Sequence, residues 1–257
     1  MSRFYISILS LFTALTMFGW GQKGHDTTAA IAERHLTPEA KAAVDSILDG
    51  RSIIYWSNWL DNASHTPEYA YTKTWHYRNI DADQTWDSAP LNPAGDVVSA
   101  INEQLAALAT PDRPIEETRL SLIILVHLMG DLHQPMHIGH ASDLGGNRWN
   151  VKYFGRNTPL HSVWDTNLVE SGHKWSYSEY ADQIDRVNAE EQAAIIAGTP
   201  DDWGRQTYEI CTHVYNTTPV DANLSYDYVA AWTPTVENQF LRGGLRLAAL
   251  LNSIYNK

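Results

Sequence analysis

Apolar residues in this chain recur mostly at three- and four-residue intervals, the spacing of helices with one buried face. Residues 25–35 carry that spacing. Thr37, Pro38 and Glu39 supply a cap with proline at the first helical position, and the helix they open is predicted to reach Leu48, where Gly50 stops it. Asp96 can cap a helix over 97–108. Pro114 opens a longer one whose Leu120, Ile123, Ile124, Val126, Leu128 and Met129 are apolar on most faces, which predicts a central, buried helix that ends at Pro135. Further helices are predicted over 161–169, 178–196, 201–215 and 235–255. The segments 55–95 and 140–160, rich in Trp, Asn, Asp, Gly and Pro, read as loops, with a short strand or hairpin around 149–154. No repeat, low-complexity tract or linker divides the pattern. The expectation is an all-α class, one domain of packed helices with at most a short hairpin.

Composition adds an export signal. Arg3 followed by an apolar stretch over 6–18, too short to span a bilayer comfortably, and then by the small Gly19, reads as a signal peptide over 1–19. Met17 is larger than the usual cleavage rule prefers, and an uncleaved anchor is the rival reading. Cleavage after Gly19 would make Trp20 the first residue of a mature domain over 20–257. That product is expected in the periplasm or outside the cell, as a monomer without membrane association. Cys211 is the only cysteine, so no intramolecular disulfide can form, and the fold must be held by its core and, we expect, by metal. The net charge of −12 comes from 18 basic and 30 acidic residues and argues against a broad basic nucleic-acid footprint. An anionic substrate would have to be attracted by bound metal rather than by the surface as a whole.

The candidate chemistry lies in His127-Leu-Met-Gly-Asp131-Leu-His-Gln-Pro-Met-His137 and in His161-Ser-Val-Trp-Asp165. His127 and Asp131 are four apart, which puts both on one face of the central helix. Two such groups buried together are costly unless they pair or bind a cation. His161 and Asp165 repeat the spacing, and His137 lies just past the proline, where the chain can turn its ring back. Imidazole and carboxylate together suit Zn²⁺. His133 points another way and reads as structural. His35, His65, His140, His173 and His213 lack a partner at useful spacing and read as surface or satisfied core positions.

These segments resemble the S1/P1 nuclease family of zinc-dependent, single-strand-specific nucleases and 3′-nucleotidases. The resemblance also covers Trp20-Gly-Gln-Lys-Gly-His25, Trp59-Leu-Asp61, Trp75-His-Tyr77 and Ser142-Asp-Leu-Gly-Gly-Asn147, in the same order along the chain. It implies packed helices around a cleft with three zinc ions, a fold shared with zinc phospholipase C. One ion would be held by Asp61, His76, His127 and Asp131. A second would be held by Asp131, His25 and the α-amino nitrogen and carbonyl oxygen of Trp20. His137, His161 and Asp165 would hold the third. Asp61 and Asp131 would be the catalytic carboxylates, a hydroxide bridging two metals would attack phosphorus in line, and the substrates would be single-stranded DNA and RNA and 3′-nucleotides. Tyr77, Asn79 and Asn147 would bind substrate, with Tyr77 stacking one base.

Two departures from familiar fungal members stand out. Ser64 occupies a position that is basic in those members and helps hold phosphate, so Lys73, Arg78 or Arg148 would have to take over or catalysis would lean harder on zinc. Asn79 replaces an aspartate that reads the base edge, so base preference does not carry over. Zinc phospholipase C acting on phosphatidylcholine, whose last ligand is Glu where this chain has Asp165, is one alternative. A non-catalytic zinc-stabilised binding protein is another.

Overall fold

The computed structural model describes residues 20–256. The signal peptide read over 1–19 therefore lies outside the described residues. The chain forms α1 (Gln22–Arg34), α2 (Pro38–Ile47), α3 (Ile53–Trp56), α4 (Trp59–Ala63), α5 (Val97–Ala109) and α6 (Ile115–Asp131). A hairpin follows, β1 (Asn150–Tyr153) and β2 (Arg156–Pro159). Then come α7 (Leu160–Ser162), α8 (Leu168–Gly172), α9 (Tyr177–Ile184), α10 (Ala189–Ile196), α11 (Pro200–Thr217), the two-residue β3 (Asn223–Leu224) and α12 (Tyr226–Tyr255). Antiparallel β1–β2 pairing sets Val151 against Thr158, and β3 joins β1 in parallel through Tyr153 and Leu224. The fold is all-α with this small sheet. It exceeds the predicted hairpin by one strand, because two residues of β3 are too few to leave a pattern in sequence. No described helix is long and apolar enough to cross a membrane.

Side-chain caps open six of the twelve described helices. Thr37 accepts a hydrogen bond from the Ala40 N–H, and Asp96 accepts from Val98 and Ser99, as the sequence predicts. The single helix predicted over 178–196 is instead two. Asn188 accepts from the Glu190 and Glu191 amides while Glu191 accepts from the Asn188 amide, a reciprocal cap that starts α10 afresh. The helix predicted from 235 begins at Tyr226 and runs through Pro234. A proline inside a helix forfeits one backbone bond, but Tyr228 and Trp232 before it and Val236 after it are buried in one cluster, and that burial holds the two parts together. Gln134 adopts ψ 115 before Pro135, so α6 stops at Asp131 and a single tight turn (Pro135–Ile138) follows.

α6 is central, as its apolar faces predict, with every residue from Ser121 to Asp131 buried. Its side chains pack with α2, α5 and the end of α12 in the largest apolar cluster. A second cluster joins Trp20, Met136, Trp164, Val214 and Phe240 across β1, α11 and α12. The end of α6 is thereby fixed from both sides. Leu125, fully buried on α6, tests that packing: Leu125→Ala should lose about 2–5 kcal/mol. Urea unfolding should show a lower midpoint with an unchanged slope; a loss below about 1 kcal/mol would mean the site collapses around the smaller side chain.

Candidate metal centre

The end of α6 is the meeting point of the candidate ligands. His127 and Asp131 lie one turn apart on it, with Nε2 and Oδ2 3.1 Å from each other. α1 brings His25, whose Nε2 is 3.5 Å from Asp131 Oδ1. α4 brings Asp61, 3.4 Å from His127 Nε2. The turn after Thr72 brings His76, whose Nδ1 is 2.9 Å from Asp131 Oδ2 and 3.1 Å from His127 Nε2. His25, His127 and Asp131 thus form one group that could hold a metal ion, and Asp61, His76 and His127 form another. His137, His161 and Asp165 form a third, with His161 Nε2 3.1 Å from Asp165 Oδ2. His137 lies 3.3 Å from Asp131 and links this group to the others. All eight of these side chains are buried.

Backbone carbonyls decide which ring nitrogens face inward. His127 Nδ1 donates to Ser57 O at 2.7 Å, His137 Nδ1 to His76 O at 2.6 Å and His161 Nδ1 to Gly145 O at 2.6 Å. Each bond leaves Nε2 as a lone pair directed into the centre, the arrangement found in metal-ligating histidines. Ser57 is itself anchored: its hydroxyl and the Asn58 amide both donate to Asp26, next to His25. His25 Nε2, His76 Nε2, His137 Nε2 and Asp131 Oδ1 are buried with no hydrogen-bond partner among the described residues. Lone pairs brought together without donors are satisfied by a cation, so this donor set fits a divalent metal of the zinc type.

The electrostatics point the same way. Burial pushes the Asp131 carboxyl up, but His127 and His137 outweigh it and hold it well below the usual carboxylate range. Burial likewise opposes charge on His127, yet Asp131 and Asp61 lift it well above an ordinary histidine. Asp61 is lowered because His127 overcomes its desolvation. Burial, aided by His127, drops His25 to about 3, and burial also lowers His137. The lowered carboxyls of Asp61 and Asp131 and the lowered imidazoles of His25 and His137 favour the deprotonated forms that ligate metal, while burial raises the Asp165 carboxyl and His127 is pulled the other way by its carboxylate neighbours. The positive charge that the carboxylates would place on His127 is the one a metal would supply.

Two glycines and a glutamine make room for this geometry and carry no role in the sequence reading. A Cβ on Gly130 would meet His25 Nδ1 at 2.5 Å, so only glycine lets α1 bring that ring against α6. Gly145, at φ 64, turns its carbonyl onto His161, and a Cβ there would meet Met136 O at 2.7 Å. Gln134 donates to Asp165 and accepts from the Met136 amide, so one buried side chain both caps the turn that carries His137 and orients the neighbouring carboxylate. Its position immediately before a proline is the only sequence signal of that role. Asp165 lies in a wide π-type turn (Val163–Asn167) between α7 and α8, and its carbonyl accepts from the Gly21 amide at 2.8 Å. Trp20, next in the chain, buries its indole edge-on against Phe240.

Tyr77 and Asn79 line one cavity of about 410 Å³, and Asn79 Oδ1 is buried there without a hydrogen-bond partner. Asn147 uses its amide on the Leu144 carbonyl. Among the cations proposed to replace the base missing at Ser64, Arg78 is committed elsewhere. It lies over Trp86 at 4.0 Å, donates to the Trp86 carbonyl and is 3.5 Å from Asp201. Lys73 and Arg148 are exposed, and Ser64 donates to the Asp61 carbonyl. Four of the remaining histidines find partners far off in sequence: His35 with Asp185, His173 with Glu237, His140 stacked on Tyr215 and His213 against Trp232. His133 stands apart from the ligand groups, donating from Nδ1 to Met129 O and receiving Arg246 on Nε2.

The family model described as S1/P1 nuclease matches residues 20–256. Nuclease S1 of Aspergillus oryzae is 29% identical over 97% of this chain and 96% of its own length. Nuclease P1 of Penicillium citrinum is 29% identical over 92% and 98%. Endonuclease 2 of Arabidopsis thaliana is 28% identical over 97% and 95%.

The Gly130 contact yields a direct test. Alanine is favoured over glycine in a helix by about 1 kcal/mol, so Gly130→Ala should not weaken α6 itself. The added methyl should displace His25 and weaken metal binding at the His25–Asp131 group. Competition with a chelating dye should reveal one weakened site beside unchanged ones; an unaltered affinity profile would mean His25 gives way without consequence.

Proposed function

The chain belongs to the S1/P1 nuclease family, and on that premise we propose that it is a zinc-dependent enzyme that cleaves single-stranded DNA and RNA to 5′-phosphorylated products and removes the phosphate of 3′-nucleotides. The observation that carries this reading is the three contiguous ligand groups, buried and oriented by the backbone. Asp61, His76, His127 and Asp131 would hold one zinc ion. Asp131, His25 and the amine and carbonyl of Trp20 would hold a second, and His137, His161 and Asp165 a third. Bound there, zinc supplies Lewis acidity toward a phosphoryl oxygen and lowers the pKa of a water toward ~7.

The chain's own residues do the positioning. Asp131 offers one oxygen toward His25 and the other toward His76 and His127, so it can serve two ions at once. Asp61 completes the first set from α4. The indole of Trp20 is held in the core, which fixes the start of the mature chain beside the Gly21–Asp165 bond. Tyr77 follows His76 directly, so holding the ligand also holds the ring. A base stacked on it leaves its phosphate near the metals, and a base locked in a duplex has no free face to offer. Asn79, with both an acceptor and a donor, would read the edge of that base. Export would follow from the leader over 1–19, with the enzyme acting in the periplasm or outside the cell.

The substrate assignment is tested by assaying processed, metal-loaded protein on matched single- and double-stranded oligonucleotides, a 3′-mononucleotide and phosphatidylcholine vesicles. Single strands and the mononucleotide should be hydrolysed, duplex much more slowly and lipid not at all. Tyr77→Ala should raise KM for single strands by about tenfold, within the ~1–3 kcal/mol a stacked base contributes. Equal cutting of single and double strands would sink the stacking role, and hydrolysis of lipid alone would move the chain to the phospholipase reading.

The Trp20 assignment has its own test. A nitrogen inside a peptide bond is a poor ligand, whereas a free amine with a pKa near ~8 can be deprotonated by a metal. Protein that starts at Trp20 should bind three zincs by elemental analysis. A form extended by one glycine should bind less and lose activity; equal zinc content and rate in the two forms would refute the amine as a ligand.

A further inference from the structure

A cavity of about 620 Å³ lies between α10, α11 and α12, and none of its lining residues belongs to the three ligand groups. α12 places Asn238, Arg242 and Arg246 along it at four-residue intervals, one stripe of the helix. Gln206 and Glu209 come from α11 and Ile195 from α10. Arg246 is only 2% exposed. Its Nε donates to Ile195 O at 2.9 Å, Nη1 to His133 Nε2 at 2.9 Å and Nη2 to Gln206 Oε1 at 2.5 Å, and its Cζ lies 5.0 Å from the Trp203 ring centroid. His133 uses its one proton on Met129 O, so all of these partners are neutral.

Neither Arg242 nor Arg246 has a carboxylate within ion-pair reach among the described residues, and the second guanidinium adds repulsion to the desolvation of the first. A buried cation is normally paired, because burial without an opposite charge is strongly unfavourable. Glu209 is exposed, where water and salt screen it. Three bonds use three of the five guanidinium N–H groups of Arg246, which leaves one on each Nη. The cavity therefore holds two cationic forks and the side-chain amides of Gln206 and Asn238, with the exposed Glu209 as the one carboxylate in its lining and not in ion-pair reach of either fork.

We propose that this cavity is a phosphate-binding site distinct from the metal centre, taking a dianionic phosphate group between Arg242 and Arg246. Two guanidinium charges match one dianion, and a tetrahedral phosphate offers oxygens to both forks and to the amides at once, which a planar carboxylate does not. The phosphate arrives free or as the end of a mononucleotide, which the volume accommodates. The assignment does not rest on the nuclease reading.

The test is calorimetric titration of processed, metal-loaded protein with inorganic phosphate and with a 5′-mononucleotide at fixed ionic strength, comparing wild type with Arg242→Gln. Phosphate taken by the metal centre is common to both proteins, so the difference reports the cavity. Wild type should show a binding event that is lost in the variant or weakened at least about tenfold. Tighter binding of the mononucleotide would identify a nucleotide as the ligand, and equal affinity would identify the free ion. Identical isotherms for the two proteins would overturn the site. Arg246→Gln endangers the buried network, so crystals soaked in tungstate supply the second reading. Density between Arg242 and Arg246 supports the proposal, and density confined to the metal centre removes it.

Discussion

Eight buried ionisable side chains, three carboxylates and five imidazoles, converge with their lone pairs facing one another. Left alone, that arrangement is repulsive, and the rest of the molecule is organised around holding it. Asp131 is the sharpest instance. It is fully buried at the last turn of α6, where the helix dipole is negative, so both its surroundings and its helix call for a nearby cation. Carbonyls of Ser57, Gly145 and His76 hold three rings in register. The two large apolar clusters clamp the segments that provide those carbonyls. Apolar packing therefore acts on the same backbone that orients the candidate ligands rather than on separate parts of the chain.

The legibility of the fold follows how local each signal is. The central helix is plain in sequence because its apolar faces and its flanking prolines lie within a few residues of one another. The break between α9 and α10 is also written locally, in Asn188 and Glu191, but the helical spacing around it is strong enough to hide it. The continuation of α12 through Pro234 has no local signal. It depends on Tyr228 and Trp232 finding Trp164, some sixty residues earlier in the chain, through a hydrogen bond to Tyr228 Oη and an edge-on ring contact with Trp232. The third strand depends on a partner seventy residues away.

The site divides along the same line. His127 with Asp131 and His161 with Asp165 are readable from four-residue spacing alone. His25, Asp61 and His76 have no such spacing and enter only through the family resemblance, since what unites them is the three-dimensional approach of α1 and α4 to α6. Gln134, Gly130 and Gly145 stand inside or beside the quoted motifs, yet their roles arise from contacts that spacing does not encode. The same holds for Arg78, which looks available in sequence and is held by Trp86 and Asp201 in the fold. Arg242 and Arg246, likewise, share one cavity only because α10 and α11 pack beside that stretch of α12.

The wide turn at Val163–Asn167 bears on how this chain can vary. A π-type turn contains one residue more than the α-helical turn it replaces. Deleting a single residue there would make the helix more regular and locally more comfortable. It would also rotate everything beyond the deletion by about 100° relative to His161, turning Asp165 or the packing of α8 away from its present face. Length is thus constrained at this point as well as composition: Val163, Trp164 and Asp165 are buried, and an insertion or deletion of one residue would displace them relative to His161. The irregularity is a fixed spacer, and the separation of His161 from Asp165 is the dimension it sets.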